Sequence, residues 1–427
     1  MMLSTTLMVM VLAQAPVLRL ADAERLTLEH QPVLRQARAS ATVSDARTDE
    51  ALSALLPSLN GTVQATRSHG AFARAGSTGG SVSATTVTST STNNFFSVGL
   101  SASVPVWDFG AIQRFRASGH VFEAGQATIR AVTLQVLLNT RKAFFAARAS
   151  NALLKVAEES LANQKKHLEQ IDQFVKAGLR TGIDLAQTQT LVSNAELALV
   201  NARNTDRLAR AQVRQAIGWG GLGDFTIAGD ELPAGPHETE PLEKLVALAL
   251  DARPEVFGDK KLVDAQALTV SAQKSGFLPT LAATGSLQEA GTSLDALGLN
   301  WSFGAVLSWN LFQGGNTRAL VRESTATGDS LSAQLDGALV QVQLDVETAR
   351  FTVEDEQEAI LAATQVVAAA KAQLALAEGR YTQGVGSILE LSDAQVAATT
   401  AAAQLVQTQL SLMTARAQLS AALGEMP

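Results

Sequence analysis

Cysteine is absent from all 427 residues. No disulfide framework, thiolate metal site or lipid-carrying N-terminal cysteine is therefore expected. Histidine is scarce too: positions 30, 69, 120, 167 and 237 stand apart, none paired at the i, i+4 spacing of a helical metal site. Aromatic residues make up 5% of the chain, and Tyr381 is the only tyrosine. Charged residues reach 17% with a net charge of −7, and Lys and Arg form no run, which argues against nucleic acid as a partner. No Ser/His/Asp order, phosphate-cradling glycine loop or paired catalytic carboxylates stand outside one short stretch near the end. Neither an enzyme, a cofactor nor a resident metal is expected. The ten prolines all lie outside 106–232 and 280–426, which leaves two long windows free of helix breakers.

What is present is duplication. The stretch Arg380-Tyr-Thr-Gln-Gly-Val-Gly-Ser-Ile-Leu-Glu-Leu-Ser-Asp393 has an earlier echo, Phe174-Val-Lys-Ala-Gly-Leu-Arg-Thr-Gly-Ile-Asp-Leu185. A shift of 206 lays Gly178 on Gly384, Thr181 on Ser387, Asp184 on Glu390, Val136 on Val342 and Phe145 on Phe351. Upstream the shift is 222, pairing Pro32 with Pro254 and Pro57 with Pro279. One unit is thus written twice, and a fixed-period repeat decides the architecture before any local reading does.

Met1 to Ala15 reads as a secretory signal, with an apolar run from Leu7 to Leu12 and Ala13-Gln-Ala15 as a small-x-small cleavage site. The first repeat then covers 16–218, a Gly-, Pro- and acid-containing linker or equatorial excursion 219–241, and the second repeat 242–424. Each repeat opens with a helix–proline–helix pattern. Ser58 to Arg67, Ser97 to Val106, Thr280 to Gln288 and Asn300 to Asn310 then alternate apolar and small polar residues, the pattern of strands with two unlike faces. His69 to Asn94, rich in Gly, Ser and Thr, reads as a long loop. Helical patterns follow over 116–176 and 322–382, and shorter ones over about 183–217 and 388–423. Beyond the signal, the sequence suggests no stretch with the 18 to 20 apolar residues of a spanning helix.

Four strands cannot close a membrane barrel, because open edges are not tolerated in lipid. They either pack in water, as in a soluble sandwich, or are completed by other subunits. Ten residues suit a tilted membrane strand. Trp301 and Trp309 stand at the two ends of one strand, with Phe303 and Leu307 between them; Val98 and Leu100 mark the apolar face of another. All six are candidates for contact with outer-membrane lipid.

The doubled plan, the turns Val106-Trp-Asp-Phe-Gly110 and Leu311-Phe-Gln-Gly-Gly315, and the tip Tyr381-x-x-Gly-x-x-Ser-Ile-Leu-Glu-Leu-Ser-Asp393 resemble the TolC family of outer-membrane efflux channels. The resemblance runs from about Leu18 to Gly424. It implies a mainly α-helical protein with a transmembrane β part: a long helical barrel below a twelve-stranded barrel built by a homotrimer. It also implies an outer-membrane location in a Gram-negative bacterium, and partnership with a periplasmic adaptor and an inner-membrane transporter in efflux or type I secretion. Carried over by position, Glu390 and Asp393 would form the periplasmic gate, and Asp184 and Tyr381 would latch it. Gly178, Gly182, Gly384 and Gly386 would shape the tip turns and the adaptor-docking surface. An arginine that strengthens the latch in known members would fall at Gly386, so it is missing here. Beside these roles stands a plain one: Thr181-x-x-Asp184 and Ser387-x-x-Glu390 both fit a helix-capping box. A soluble periplasmic coiled-coil scaffold would share the helices but not the amphipathic strands.

Overall fold

The computed structural model describes residues 16–75, 86–218, 220–221, 223–235 and 237–425. The candidate signal at 1–15 lies outside them.

The two repeats fold alike. In the first, α1 (Leu20–His30) and α2 (Pro32–Ser53) lead to strands β2 (Ser58–Ala75) and β3 (Thr86–Trp107), then helices α3 (Phe109–Lys176) and α4 (Gly182–Ile217). In the second, α5 (Leu242–Ala252) and α6 (Pro254–Lys274) lead to β5 (Thr280–Gly291), β6 (Gly298–Ser308), α7 (Asn316–Thr382) and α8 (Ile388–Ala422). Pro32 and Pro254 each open a helix, where a missing N–H is harmless. At 68 and 67 residues, α3 and α7 each extend roughly 100 Å at about 1.5 Å per residue. The segment between repeats is tied down rather than loose: β4 (Thr226–Ile227) pairs in parallel with β1 (Val17–Leu18), and Arg210 Nη1 donates to the Phe225 carbonyl at 2.6 Å.

Two compact units divide the chain. One comprises 1–40, 126–258 and 335–427, the other 41–125 and 259–334. The first unit is cored by Phe144 and Phe145 of α3, Val213 and Ile217 of α4, Leu245 of α5, Val346 and Val353 of α7 and Leu419 of α8. The two phenylalanine rings meet edge to face, centroids 5.7 Å apart.

The second unit holds an antiparallel sheet in the order β2-β3-β5-β6. Its register aligns one row of Gly61, Leu100, Leu287 and Trp301, and the next of Leu59, Ala102, Gly285 and Phe303. Ser286 and Ser302 lie on the other face, with their hydroxyls 2.8 Å apart. All the residues of β6 are exposed, Trp301 at 76% and Phe303 at 81%.

Three expectations need correction. The strands of the first hairpin run 18 and 22 residues and take in 69–75 and 86–94, which the sequence suggests as loop; residues 76–85 lie outside the described set. Low-complexity Ser/Thr composition hid the strand because it lacks apolar–polar alternation, although threonine is itself enriched in strands. The alternation of β3 also breaks at its end. A bulge between Pro105 and Trp107, next to a proline that has no N–H to give, makes Val106 the extra residue and brings Trp107 opposite Leu281. Finally, α7 does contain an 18-residue window of mean hydropathy 1.5, apolar enough by composition to cross a membrane. Its runs of alanine raise hydropathy while keeping the helix thin, a composition that also suits close helix packing.

Phe145 is 1% exposed, whereas its repeat counterpart Phe351 is 54% exposed. Phe145→Ala is expected to destabilise the helical unit by about 3–5 kcal/mol, read as an earlier midpoint when helical circular dichroism is followed against denaturant in detergent.

Candidate functional site

The two turns that join α3 to α4 and α7 to α8 are built identically. In the first, Gly178 N–H donates to Val175 O at 3.0 Å and Leu179 N–H to Phe174 O at 2.9 Å; in the second, Gly384 N–H donates to Tyr381 O and Val385 N–H to Arg380 O, both at 3.1 Å. Each pair of bonds is a Schellman closure, which needs a left-handed residue at its centre. Gly178 and Gly384 supply it with φ of 72° and 80°. Gly182 and Gly386 have no positive φ, so of the four tip glycines only two are required by the backbone conformation of the turns. A side chain on Gly386 would press on the Tyr381 nitrogen and Arg380 at 3.0–3.1 Å. At Gly182 a side chain would meet nothing within 4 Å.

Each turn hands over to a helix through a hydroxyl cap, Thr181 at φ −92°, ψ 157° and Ser387 at φ −89°, ψ 157°. Ser387 Oγ accepts from Glu390 N–H at 3.1 Å, and Thr181 N–H donates to Asp184 Oδ2 at 3.4 Å. Both first-turn acids also complement the helix dipole. Asp184 and Glu390 thus have capping work inside their own chain.

Beneath the turns lies a small apolar cluster of Ile171, Ala377, Tyr381, Leu391 and Ala394. Tyr381 is 4% exposed and its hydroxyl has no hydrogen-bond partner among the described residues. Burial pushes its phenol above the usual pKa; the nearby Arg180 charge partly offsets this, and Asp184 adds to it. Asp184 and Tyr381, the candidate latch residues, form no hydrogen bond with each other within the chain, since Asp184 turns to its own cap. What holds Tyr381 is Arg180. The guanidinium lies over the ring, 4.4 Å from its centroid, and Nη2 donates to the Tyr381 carbonyl at 3.3 Å.

Glu390 is engaged a second time, by Arg380 Nε at 3.1 Å, across a solvent-exposed pair. Asp393, one turn further along the helix, is exposed and has no ion pair or hydrogen-bond partner among the described residues. A second, buried tie lies deeper, where Gln164 Nε2 of α3 donates to Gln395 Oε1 of α8 at 2.9 Å.

Sequence reasoning missed both arginines. The signal for Arg180 was available: subtracting the repeat shift of 206 from Gly386, where an arginine is missing, lands on it. The strand candidates gather elsewhere. Val98, Leu100, Trp301, Phe303 and Leu307 fall on one face of the sheet by register, and Trp309 follows β6 directly, its Nε1 donating to Phe277 O at 3.1 Å.

Comparison with known proteins bears on what this arrangement belongs to. The family model for outer membrane efflux proteins matches residues 25–219 and 245–425, one span for each repeat. The chain belongs to the outer membrane efflux protein family. It is an outer-membrane efflux channel of Gram-negative bacteria, a conduit with no catalytic step. Among curated relatives, the solvent efflux pump outer membrane protein SrpC of Pseudomonas putida is 25% identical over 350 residues, covering 77% of this chain and 71% of that one. The cation efflux system protein CusC of Escherichia coli is 22% identical over 321 residues, 72% and 68% of the two chains. In fold, the outer membrane protein VceC of Vibrio cholerae superposes with a TM-score of 0.81 at 20% identity, covering 95% of this chain and 96% of that one.

The two kinds of tip glycine separate under substitution. Gly384→Ala forces a side chain into a left-handed position and is expected to cost about 1–2 kcal/mol, while Gly182→Ala, with open space around it and a helical backbone, is expected to be neutral or mildly stabilising. Thermal unfolding of the two purified variants side by side measures this; equal midpoints would remove the backbone argument.

Proposed function

We propose that three copies of this chain form one conduit. Each contributes its four strands to a twelve-stranded barrel in the outer membrane and its long helices to a periplasmic tunnel. A periplasmic adaptor docks at the tip turns around Gly178, Gly182, Gly384 and Gly386, and an inner-membrane transporter supplies the energy. The observation that carries this reading is the sheet itself. Its two edges, β2 and β6, find no partner strand among the described residues, and the face bearing Trp301 and Phe303 is apolar and exposed. Lipid tolerates neither an unpaired edge nor a polar outer face, and a second and third copy remove the edges. The cargo is a small molecule rather than a folded protein, in line with relatives named for solvent and cation efflux.

The tip is the gate of this conduit. Asp393 is the stronger gating acid because its carboxylate is uncommitted, whereas Glu390 is shared with a cap and with Arg380. Three copies place six such carboxylates around the axis, a ring that favours cations and can hold a divalent ion. The latch is the ring of Tyr381 under Arg180, with Asp184 fixing the start of α4.

The size of the particle extracted by detergent from outer membranes tests the assembly: three chains are expected, and a lone chain in the soluble periplasmic fraction would overturn it. Trp301→Arg should abolish trimer recovery, since an arginine facing lipid costs about 2–4 kcal/mol at mid-bilayer and less near the interface. In planar bilayers, Asp393→Ala should raise conductance and weaken cation preference and divalent block more than Glu390→Ala does; equal effects would return the gate to both acids. In whole cells, Arg180→Ala should admit more vancomycin than wild type. Tyr381→Phe keeps the ring and removes only an unpaired hydroxyl, so it should not.

A further inference from the structure

The strands of the first hairpin outrun those of the second. β5 pairs with β3 only as far as Phe96, yet β2 and β3 continue together through ten more residue pairs, Thr66–Phe95 to Ala75–Thr86. Charge is distributed unevenly along this hairpin. Residues 58–107 contain no Asp or Glu, in a chain of net charge −7, and their cationic side chains are Arg67, Arg74 and His69.

Register places two of these on the face that carries the apolar rows. Along β2 that face reads Leu59, Gly61, Val63, Ala65, Arg67, His69; along β3 the partners are Ala102, Leu100, Val98, Phe96, Asn94 and Thr92. The apolar band therefore ends at Ala65 and Phe96, and the next two rows are Arg67–Asn94 and His69–Thr92. Arg67 and His69 are exposed, and His69 Nδ1 lies 2.8 Å from Thr92 Oγ1. One acid shares the face, Glu289, in the row of Val63 and Val98. Arg67 is four residues beyond that row, roughly 13 Å at about 3.3 Å per residue.

Distance fixes the depth of this basic step. The opposite end of the band is the row of Trp107 and Leu281. From Trp107 to Asn94, β3 advances roughly 43 Å along its own axis at about 3.3 Å per residue. At a tilt near 45° that is about 30 Å along the membrane normal, the hydrocarbon thickness. All strand ends that lead to helices lie at the Trp107 end, so in the proposed barrel, on which this inference rests, Arg67 stands at the outer surface. The outer leaflet there is built of a glycolipid whose disaccharide headgroup carries phosphates.

We infer that Arg67, His69 and the flanking amides and hydroxyls of Asn94 and Thr92 form a lipid-phosphate site, one per protomer, that holds the phosphorylated disaccharide headgroup of an outer-leaflet glycolipid against the barrel. A guanidinium gives a phosphate two parallel donors. Asn94 and Thr92 add neutral donors in the adjoining strand. The site anchors the barrel at its outer rim, one row beyond Phe96 of the apolar face.

Native mass spectrometry of the detergent-purified trimer, titrated with bisphosphorylated lipid A, tests it. Wild type should retain the lipid. Arg67→Gln should weaken retention about five-fold, the effect of removing roughly 1 kcal/mol of surface attraction per cation, and Arg67→Lys should keep most of it. The dephosphorylated lipid, which leaves the protein untouched, should bind wild type as weakly as the intact lipid binds Arg67→Gln. Equal retention of phosphorylated and dephosphorylated lipid would overturn the site, as would full displacement of the lipid by millimolar inorganic phosphate, which would make the ligand the ion alone. A wild-type chain that yields no trimer overturns the barrel and the site with it. A trimer indifferent to Arg67 and to the phosphates overturns the site alone.

Discussion

Backbone amides and carbonyls along a strand edge need partners, and hydrocarbon offers none. That constraint governs this protein more than any side-chain contact. One chain supplies four strands with two bare edges, so a barrel cannot be a property of one chain. The duplication makes the arrangement economical. Each repeat gives one hairpin and one pair of long helices, and in the proposed trimer the strands of three copies close on one another. In the proposed barrel, the exposed apolar side chains on β6 and the polar hydroxyl face behind them become the outside and the lumen of one wall.

Duplication did not produce a symmetric tip. The two turns share their backbone hydrogen bonds almost atom for atom, and both are followed by a hydroxyl cap and a first-turn acid. Their side chains have diverged where the turns meet. Tyr381 corresponds to Val175 and Arg180 to Gly386, so one turn contributes the cation and the other the ring. The glycine is needed as well, because a side chain at 386 would crowd the backbone of Arg380 and Tyr381. An arginine at that position would need the neighbouring backbone to give by a few tenths of an ångström, and here the charge sits in the other repeat.

The sequence made the repeat, the four strands, the helix limits at the tip turns and the family resemblance legible, because each rests on a period or a fixed shift that survives divergence. The long helices α3 and α7 begin six to seven residues earlier than their patterns suggest. Helices α4 and α8 begin within a residue of expectation, since a hydroxyl cap and a preceding glycine mark them. Less legible was anything decided by three-dimensional proximity. Arg180 and Tyr381 are 201 positions apart, and no local pattern joins them. The bulge at Val106 shifts one residue out of phase, which alternation alone cannot reveal. The threonine-rich outer hairpin lacks hydrophobic contrast, so it reads as loop although its backbone pairs through to Ala75 and Thr86.

The contacts that hold the tip are individually weak, which suits the proposed role of a gate opened by a partner. An arginine over an aromatic ring contributes about 0.5–2 kcal/mol depending on how dry it is, and an exposed pair such as Arg380–Glu390 up to about 1 kcal/mol. In the proposed trimer, three copies of these contacts sum to about 1.5–9 kcal/mol. Moving a two-state equilibrium from almost wholly closed to almost wholly open takes a differential binding energy of about 5.5 kcal/mol. The proposed adaptor, if it binds the open tip more tightly than the closed one, could deliver that from a modest interface. A buried ion pair at the same place would resist opening far more strongly, because separating it leaves a desolvated charge behind. Tyr381 avoids that penalty: it is buried, uncharged and already without a hydrogen-bond partner for its hydroxyl, so its release to water removes a polar group from an apolar cluster and partly offsets the loss of its packing.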